Sequence, residues 1–460
     1  MWERARARWL LAVASSIACI GCTHAGEMPW YLVAHNPSYR MAAQGNPWSS
    51  GGAAVSLAKV PGGSEPWGSA AAGFDAAPFA GREVVLSGEI ASSGGATDAA
   101  IWLRTDSESP YGRGFQTTQG SVVAEGTAPV VKTVRIYVPK QASRITVGVV
   151  LDGPGEAQFT HLRLAAVDPE ASKIDATALL DEAVALIRGQ ALAAGHVDWQ
   201  AFLDEAHTQV DRGEPAEAAY PTIRHAIAVL GDGHSAFQDK AQANIAATVD
   251  GTRFPPSVKI LPGGVGYIEL PGMTGPPEAR KRYADTVASA IEHLAPSATH
   301  GWIVDLRRDT GGSVPPMVAG VRALLGNQQV GAYRAPGKPD QPIYANQRLG
   351  FEVQPSVDLT AAPVAVIFGP KTASAGEAVA VAFHGRPHTR SFGQPTFGQA
   401  NANSVFPLTD GSALVLKTAI DVDRHGEAFG KQVIPDESAG DDTAVAHATA
   451  WLTQQSPTHL

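Results

Sequence analysis

Three small-residue stretches in the second half of the chain place groups that could do chemistry next to backbone able to come close to a substrate. In PKTASAGE (Pro370 to Glu377), Ser374 lies between the apolar runs VAVIFG and AVAVAF, where a buried strand should give way to a helix. A serine there is either a helix N-cap, whose oxygen satisfies a free N–H, or a nucleophile lifted above a sheet edge. In VDLRRDTGGS (Val304 to Ser313), Gly311 and Gly312 follow another strand-like run. A glycine pair makes a turn, and it also lets backbone N–H groups approach a developing oxyanion that a side chain would obstruct. In GDGHS (Gly231 to Ser235), His234 is an imidazole with an ordinary pKa of about 6.5, suited to take a proton at neutral pH. Taken alone it is more readily a helix-terminal residue.

These groups need elements to position them. The chain has 460 residues, 44% of them hydrophobic and 17% charged, which describes a globular protein too long for one core. A net charge of −9 without a Lys/Arg block argues against nucleic acid as a partner. Arg4, Arg6 and Arg8 precede WLLAVASSIACIGC, too short to span a bilayer but suited to a signal peptide over residues 1–25, which predicts a periplasmic or secreted protein. The alternative is a lipoprotein signal, with Cys22 as a lipidated N-terminus and the one link to a membrane. Cys19 and Cys22 are the only cysteines, so the mature chain has neither an intramolecular disulfide nor a cysteine nucleophile.

From 28 to 168, short alternating runs such as REVVLSGEI, AAIWLRTD and RITVGVVLDG predict an all-β sandwich. The run RITVGVVLDGPGEAQF, with the Gly-rich approach around Trp48 and Trp67, resembles the jelly rolls similar to galactose-binding domains. A glycan is then a candidate ligand of this module, with Trp102, Tyr111 and Phe115 as a stacking surface unless they form its core. From 170 to 238 the apolar spacing is helical, and from 239 to 455 strands alternate with helices, which implies an α/β domain with a largely buried sheet.

With GQPTFGQANAN (Gly393 to Asn403) and IPDE (Ile434 to Glu437), the three stretches stand in the order of the tail-specific, or C-terminal-processing, serine peptidases of family S41, which this region resembles. The resemblance implies a core similar to the ClpP/crotonase fold, a protein or peptide substrate, and Ser374 as nucleophile. Many members use a lysine as base in a GxPTxGKG-like turn. That position is Gln399 here, and an amide cannot usefully accept the proton. A second branch, similar to the tricorn core protease, supplies a histidine from a motif like that around His234, so His234 is the expected base. Gly233 stands where that branch has a serine, and Phe429 or a neighbour where it has a glutamate. The orienting or supporting group is left among Asp232, Glu377, Gln399 and Asp423. The Ala375 N–H with Gly312 or Gly311 forms the expected oxyanion hole, and Lys371 is a rival base.

No cofactor is expected, and no metal: His384 and His388 lack a third ligand in sequence, and HExxH is missing. No PDZ-like module fits between Gln238 and Pro262. The competing reading is a non-catalytic glycan- or peptide-binding protein with a degenerate peptidase core, for which the missing lysine is the best support.

Overall fold

The computed structural model describes residues 27–47, 51–119, 128–167, 174–252, 254–346 and 357–455. The signal segment with Cys22, Trp48 and the 168–173 junction lie outside the described residues.

The described part of residues 27–167 forms two five-stranded antiparallel sheets. One runs, edge to edge, Glu27–Leu32, Trp67–Asp75, Arg144–Asp152, Asp98–Asp106, Gly114–Thr117; the other Tyr39–Gly45, Ala53–Lys59, Glu156–Val167, Glu83–Ser93, Val130–Tyr137. The period of two in the sequence is realised literally in Glu83–Ser93, where Val84, Leu86 and Ile90 are buried and alternate with half-exposed positions. They meet Val147, Val149 and Leu151 of the facing sheet in a common apolar core. Trp102 and Tyr111 are buried, and Trp102 packs against Phe115 while donating its indole N–H to Ser69 Oγ at 3.1 Å. Of the two readings open for these aromatics, Trp102 and Tyr111 are core, and Phe115 is half-buried against Trp102.

Three helices follow, Ala176–Gln190, Trp199–Ala206 and Tyr220–Val229. The first two are capped as their sequences dictate: Asp175 accepts from Thr177 N–H (2.9 Å), and Asp198 from Ala201 N–H (3.1 Å). Their apolar faces bury Leu180, Val184, Ile187, Trp199 and Ile223 together with Tyr137 of the sandwich. Gln116 of the sandwich donates to the Asp239 carboxylate in a buried contact, and Arg224 reaches the same carboxylate at 3.4 Å.

A six-stranded sheet lies beyond, in the order Ser257–Leu261, Val265–Glu269, Trp302–Asp305, Val364–Phe368, Thr389–Gly393, Glu437–Ser438, with parallel pairing throughout except at the first pair. Successive side chains serve opposite faces. Trp302, Val304, Val364 and Val366 join a cluster with Val287, Ile291 and Val379 from the helices Pro277–Leu294 and Ala375–Phe383. Ile303, Ala365 and Ile367 join Ala444, Ala448 and Leu452 of the helix Ala444–Thr453. Burial on both faces explains the unbroken apolar run VAVIF.

The last strands depart from the single sheet expected. Asn401–Pro407 and Ala413–Asp423 are not in the parallel sheet; they build a second, antiparallel one with Ala236–Gln238, Gln329–Arg334 and Gln341–Tyr344. Ala236–Gln238, just after His234, pairs with Ala413–Val415, so the histidine is carried on an edge of this sheet.

Candidate active site

Ser374 and the Gly311–Gly312 pair occupy loops at the carboxyl ends of adjacent parallel strands, Val364–Phe368 and Trp302–Asp305, where open α/β sheets present their ligand crevices. The two loops are stitched together. Ala373 N–H donates to Asp309 O (3.0 Å), and Thr372 Oγ1 to Leu306 O (2.9 Å). A Cβ on Gly376 would stand 2.8 Å from both Cγ and O of Asp309, so only glycine lets the helix start this close. Ser374 is half-buried at the N-cap of Ala375–Phe383 with φ 52° and ψ −112°, a conformation that L residues rarely adopt. Both readings of this serine thus coincide in position: it is the cap residue, and it sits in a sharp strained turn.

Glu377 is the hub of the site. Its carboxylate is fully buried and accepts four hydrogen bonds: Ser374 N–H (2.9 Å), Thr396 Oγ1–H (2.5 Å), Gly398 N–H (2.8 Å) and Gln399 N–H (2.7 Å). Burial pushes this carboxyl above its usual range, while the four donors pull it down. A hydrogen on either oxygen would face a donor, so the ionised form is the one this geometry satisfies.

The turn that Glu377 holds continues to the histidine. Gln399 Nε2 donates to Gly233 O (2.8 Å), Asn403 Nδ2 donates to His234 O (3.1 Å), and His234 Nδ1 is hydrogen-bonded to Asn401 Oδ1. An amide oxygen only accepts, so Nδ1 carries the proton and Nε2 is left with a free lone pair. Desolvation lowers the His234 pKa below its ordinary value, with the Asn401 bond and the Asp232 charge opposing. Ser374 and His234 are thereby held in one hydrogen-bonded neighbourhood through Glu377, Gln399 and Asn401. Among the described residues no direct hydrogen bond joins them.

The other expected groups separate. Asp232 is spent on its own turn, accepting from His234 N–H (2.9 Å), Ser235 N–H (2.8 Å) and Ser235 Oγ–H (2.6 Å). Asp423 is engaged elsewhere: its Oδ2 pairs with His384 Nδ1 (2.8 Å) and its Oδ1 accepts from His425 and Glu427 N–H (2.8 Å each). Although His384, Asp423 and Glu427 bring nitrogen and oxygen atoms within 4.8 Å, that carboxylate is already filled, and the cluster pins a hairpin to the end of the helix. Lys371 is exposed on the approach to the turn. Gly311 N–H is taken by Asp309 Oδ1 (3.0 Å), whereas among the described residues Gly312 N–H and Ala375 N–H have no acceptor. A Cβ on Gly311 would lie 3.1 Å from Ser374 Cβ, so this loop must stay bare to face the serine.

Asn401 was not anticipated. Its signal was present in GQPTFGQANAN, where the polar Asn401 and Asn403 share one face of a strand, but nothing in the spacing ties them to a residue 167 positions earlier.

Residues 264–439 match the model of peptidase family S41. The chain is 26% identical over 242 residues to the nisin-resistance protein of Lactococcus lactis subsp. lactis, which covers 51% of this chain and 74% of that protein. It is 25% identical over 282 residues to a carboxyl-terminal-processing protease of Synechocystis sp., covering 59% of this chain and 60% of that one. A lipoprotein from Streptococcus agalactiae shares the fold with TM-score 0.55 and 22% identity, over 62% of this chain and 99% of its own. The domain spanning residues 264–439 is accordingly a peptidase family S41 domain, and its class is that of the serine-type peptidases.

Proposed function

We propose that the protein is an exported serine peptidase that hydrolyses protein or peptide substrates with Ser374 as nucleophile and His234 as base. The observation that supports this most directly is the Glu377 hub, because one carboxylate fixes both the Ser374 turn and the segment that holds His234. In this reading Ser374 Oγ attacks the scissile carbonyl as His234 Nε2 takes its proton. Asn401 fixes the tautomer and ring plane. The N–H groups of Gly312 and Ala375 receive the oxyanion, a role in which one donor is typically worth about 3 to 4 kcal/mol. His234 then protonates the leaving amine, and water repeats the sequence to release the acyl group. Gln399, where a lysine base would stand, instead clamps the backbone of Gly233.

The basic-then-apolar start of the chain supports export, and the names of two similar proteins, a nisin-resistance protein and a lipoprotein, agree with it. The two-sheet N-terminal unit is read as a jelly-roll accessory module for a partner outside the catalytic crevice.

Labelling by a fluorophosphonate and hydrolysis of unfolded casein test this reading. Ser374→Ala and His234→Ala should each abolish casein hydrolysis, with the double variant scarcely worse, since groups acting as one unit lose their effect together. Wild-type labelling should rise with pH through a value below the ordinary 6.5 of imidazole, because the base works only when neutral. A wild type inert to the probe and to casein at every pH would favour the non-catalytic binding protein.

A further inference from the structure

Asp421, on the strand Ala413–Asp423, is 1% exposed, and neither of its carboxyl oxygens has a hydrogen-bond partner among the described residues. Buried polar atoms are almost always paired, and an orphaned carboxylate is especially costly. Among the described residues, no cation is found among the charges that act on it. The Glu377 carboxylate faces it from the helix Ala375–Phe383, and Tyr333 faces it from the neighbouring strand, where the two residues are register partners. On its own strand, Asp423 is paired with His384. The backbone of Asp421 is tied to the same turn that Glu377 holds: its N–H donates to Ala400 O (3.2 Å), between Gln399 and Asn401.

Two buried carboxyls therefore share one region with unequal provision. Glu377 has four donors and Asp421 none, so the negative charge belongs on Glu377.

Resting on the proposed peptidase reading, we infer that Asp421 is a positioning residue that must stay a neutral acid behind Glu377, and that its ionisation loosens the Ser374 and Gln399–Asn401 turns and ends activity on the alkaline side. Burial, and then the Glu377 charge, push this carboxyl up to about 8. About 3% of molecules would keep the neutral form at pH 9.5. The sign for stability follows from the same shift. A carboxyl raised in the folded state contributes most below its unfolded value, and that contribution is lost as pH rises from about 4 to about 8.

The test compares wild type with Asp421→Asn, which keeps the shape and cannot ionise. Each protein's fluorophosphonate labelling rate is measured from pH 7 to 9.5 relative to its own rate at pH 7. Wild type should fall at least tenfold and Asp421→Asn less than twofold; parallel profiles would overturn the inference. Glu377→Gln, which removes the charge facing Asp421, should move any alkaline limb that it retains to higher pH. Melting temperature needs no working nucleophile and is read in parallel: the wild type should lose ground to Asp421→Asn between pH 5 and 8 and no further above it. If no protein is labelled at any pH, the peptidase reading fails, and a missing pH-dependent gap in melting temperature would then sink the ionisation of Asp421 separately.

Discussion

Replacing Glu377 by glutamine isolates the charge of the hub while keeping its shape. In the wild type one oxygen accepts from Ser374 and Gln399 N–H, and the other from Thr396 Oγ1–H and Gly398 N–H. A glutamine supplies one oxygen and one NH2 group, so whichever way the amide turns, two donors meet a donor. The Thr396 hydroxyl can rotate, but the backbone N–H groups cannot. Each buried donor left unsatisfied costs about 1 to 3 kcal/mol, so the local penalty is about 1 to 3 kcal/mol with the NH2 turned toward Thr396 and Gly398, and about 2 to 6 kcal/mol the other way. Hydrogen exchange read by mass spectrometry on peptides covering 369–383 and 393–403 should then be at least about fivefold faster in the variant, at a tenfold change per 1.4 kcal/mol. The sandwich, remote from the change, should exchange as before. Exchange of both peptides within threefold of wild type would refute the assignment of Glu377 as the group that holds the two turns together.

Asn401→Leu removes the acceptor for His234 Nδ1, and labelling of Ser374 should fall by at least tenfold with little change in global melting temperature. An Asn401→Leu protein labelled at the wild-type rate would show that the ring needs no orienting partner. A chain beginning at Ile174 uncovers Tyr137's place in the helical core and strips Gln116 from Asp239, so it should melt several degrees lower while retaining Ser374 labelling below that temperature. Complete loss of labelling in a folded truncation would mean that the sandwich helps to build the site.

Much of this arrangement was legible because its local chemistry is self-announcing. The turn at Ser374, the bare pair Gly311–Gly312 and the helices read from their apolar spacing each follow from residues within a few positions of one another. The second sheet was not legible, because SALVLKTAIDVD alternates like any half-buried strand and nothing local says which sheet accepts it. The same blindness left Asp421 unremarked while Asp423 stood among the candidate orienting groups. They lie two residues apart on one face of a strand, yet the first ends up behind Glu377 and the second against His384 at the strand's end. Trp102 shows the limit from the other side, since an indole suited to stacking on a sugar is equally suited to fill a sandwich and hydrogen-bond Ser69.

The backbone at Ser374 has a bearing on whether this core is in use. Holding a non-glycine residue at φ 52° costs about 1 to 2 kcal/mol that glycine would not incur. A core retired from chemistry would gain that stability by drifting to glycine at this one position, with Glu377 still able to accept from the N–H. In the proposed peptidase reading, the strain at this turn is the cost of keeping the Ser374 hydroxyl at the mouth of the crevice, a cost that an N-cap alone does not require.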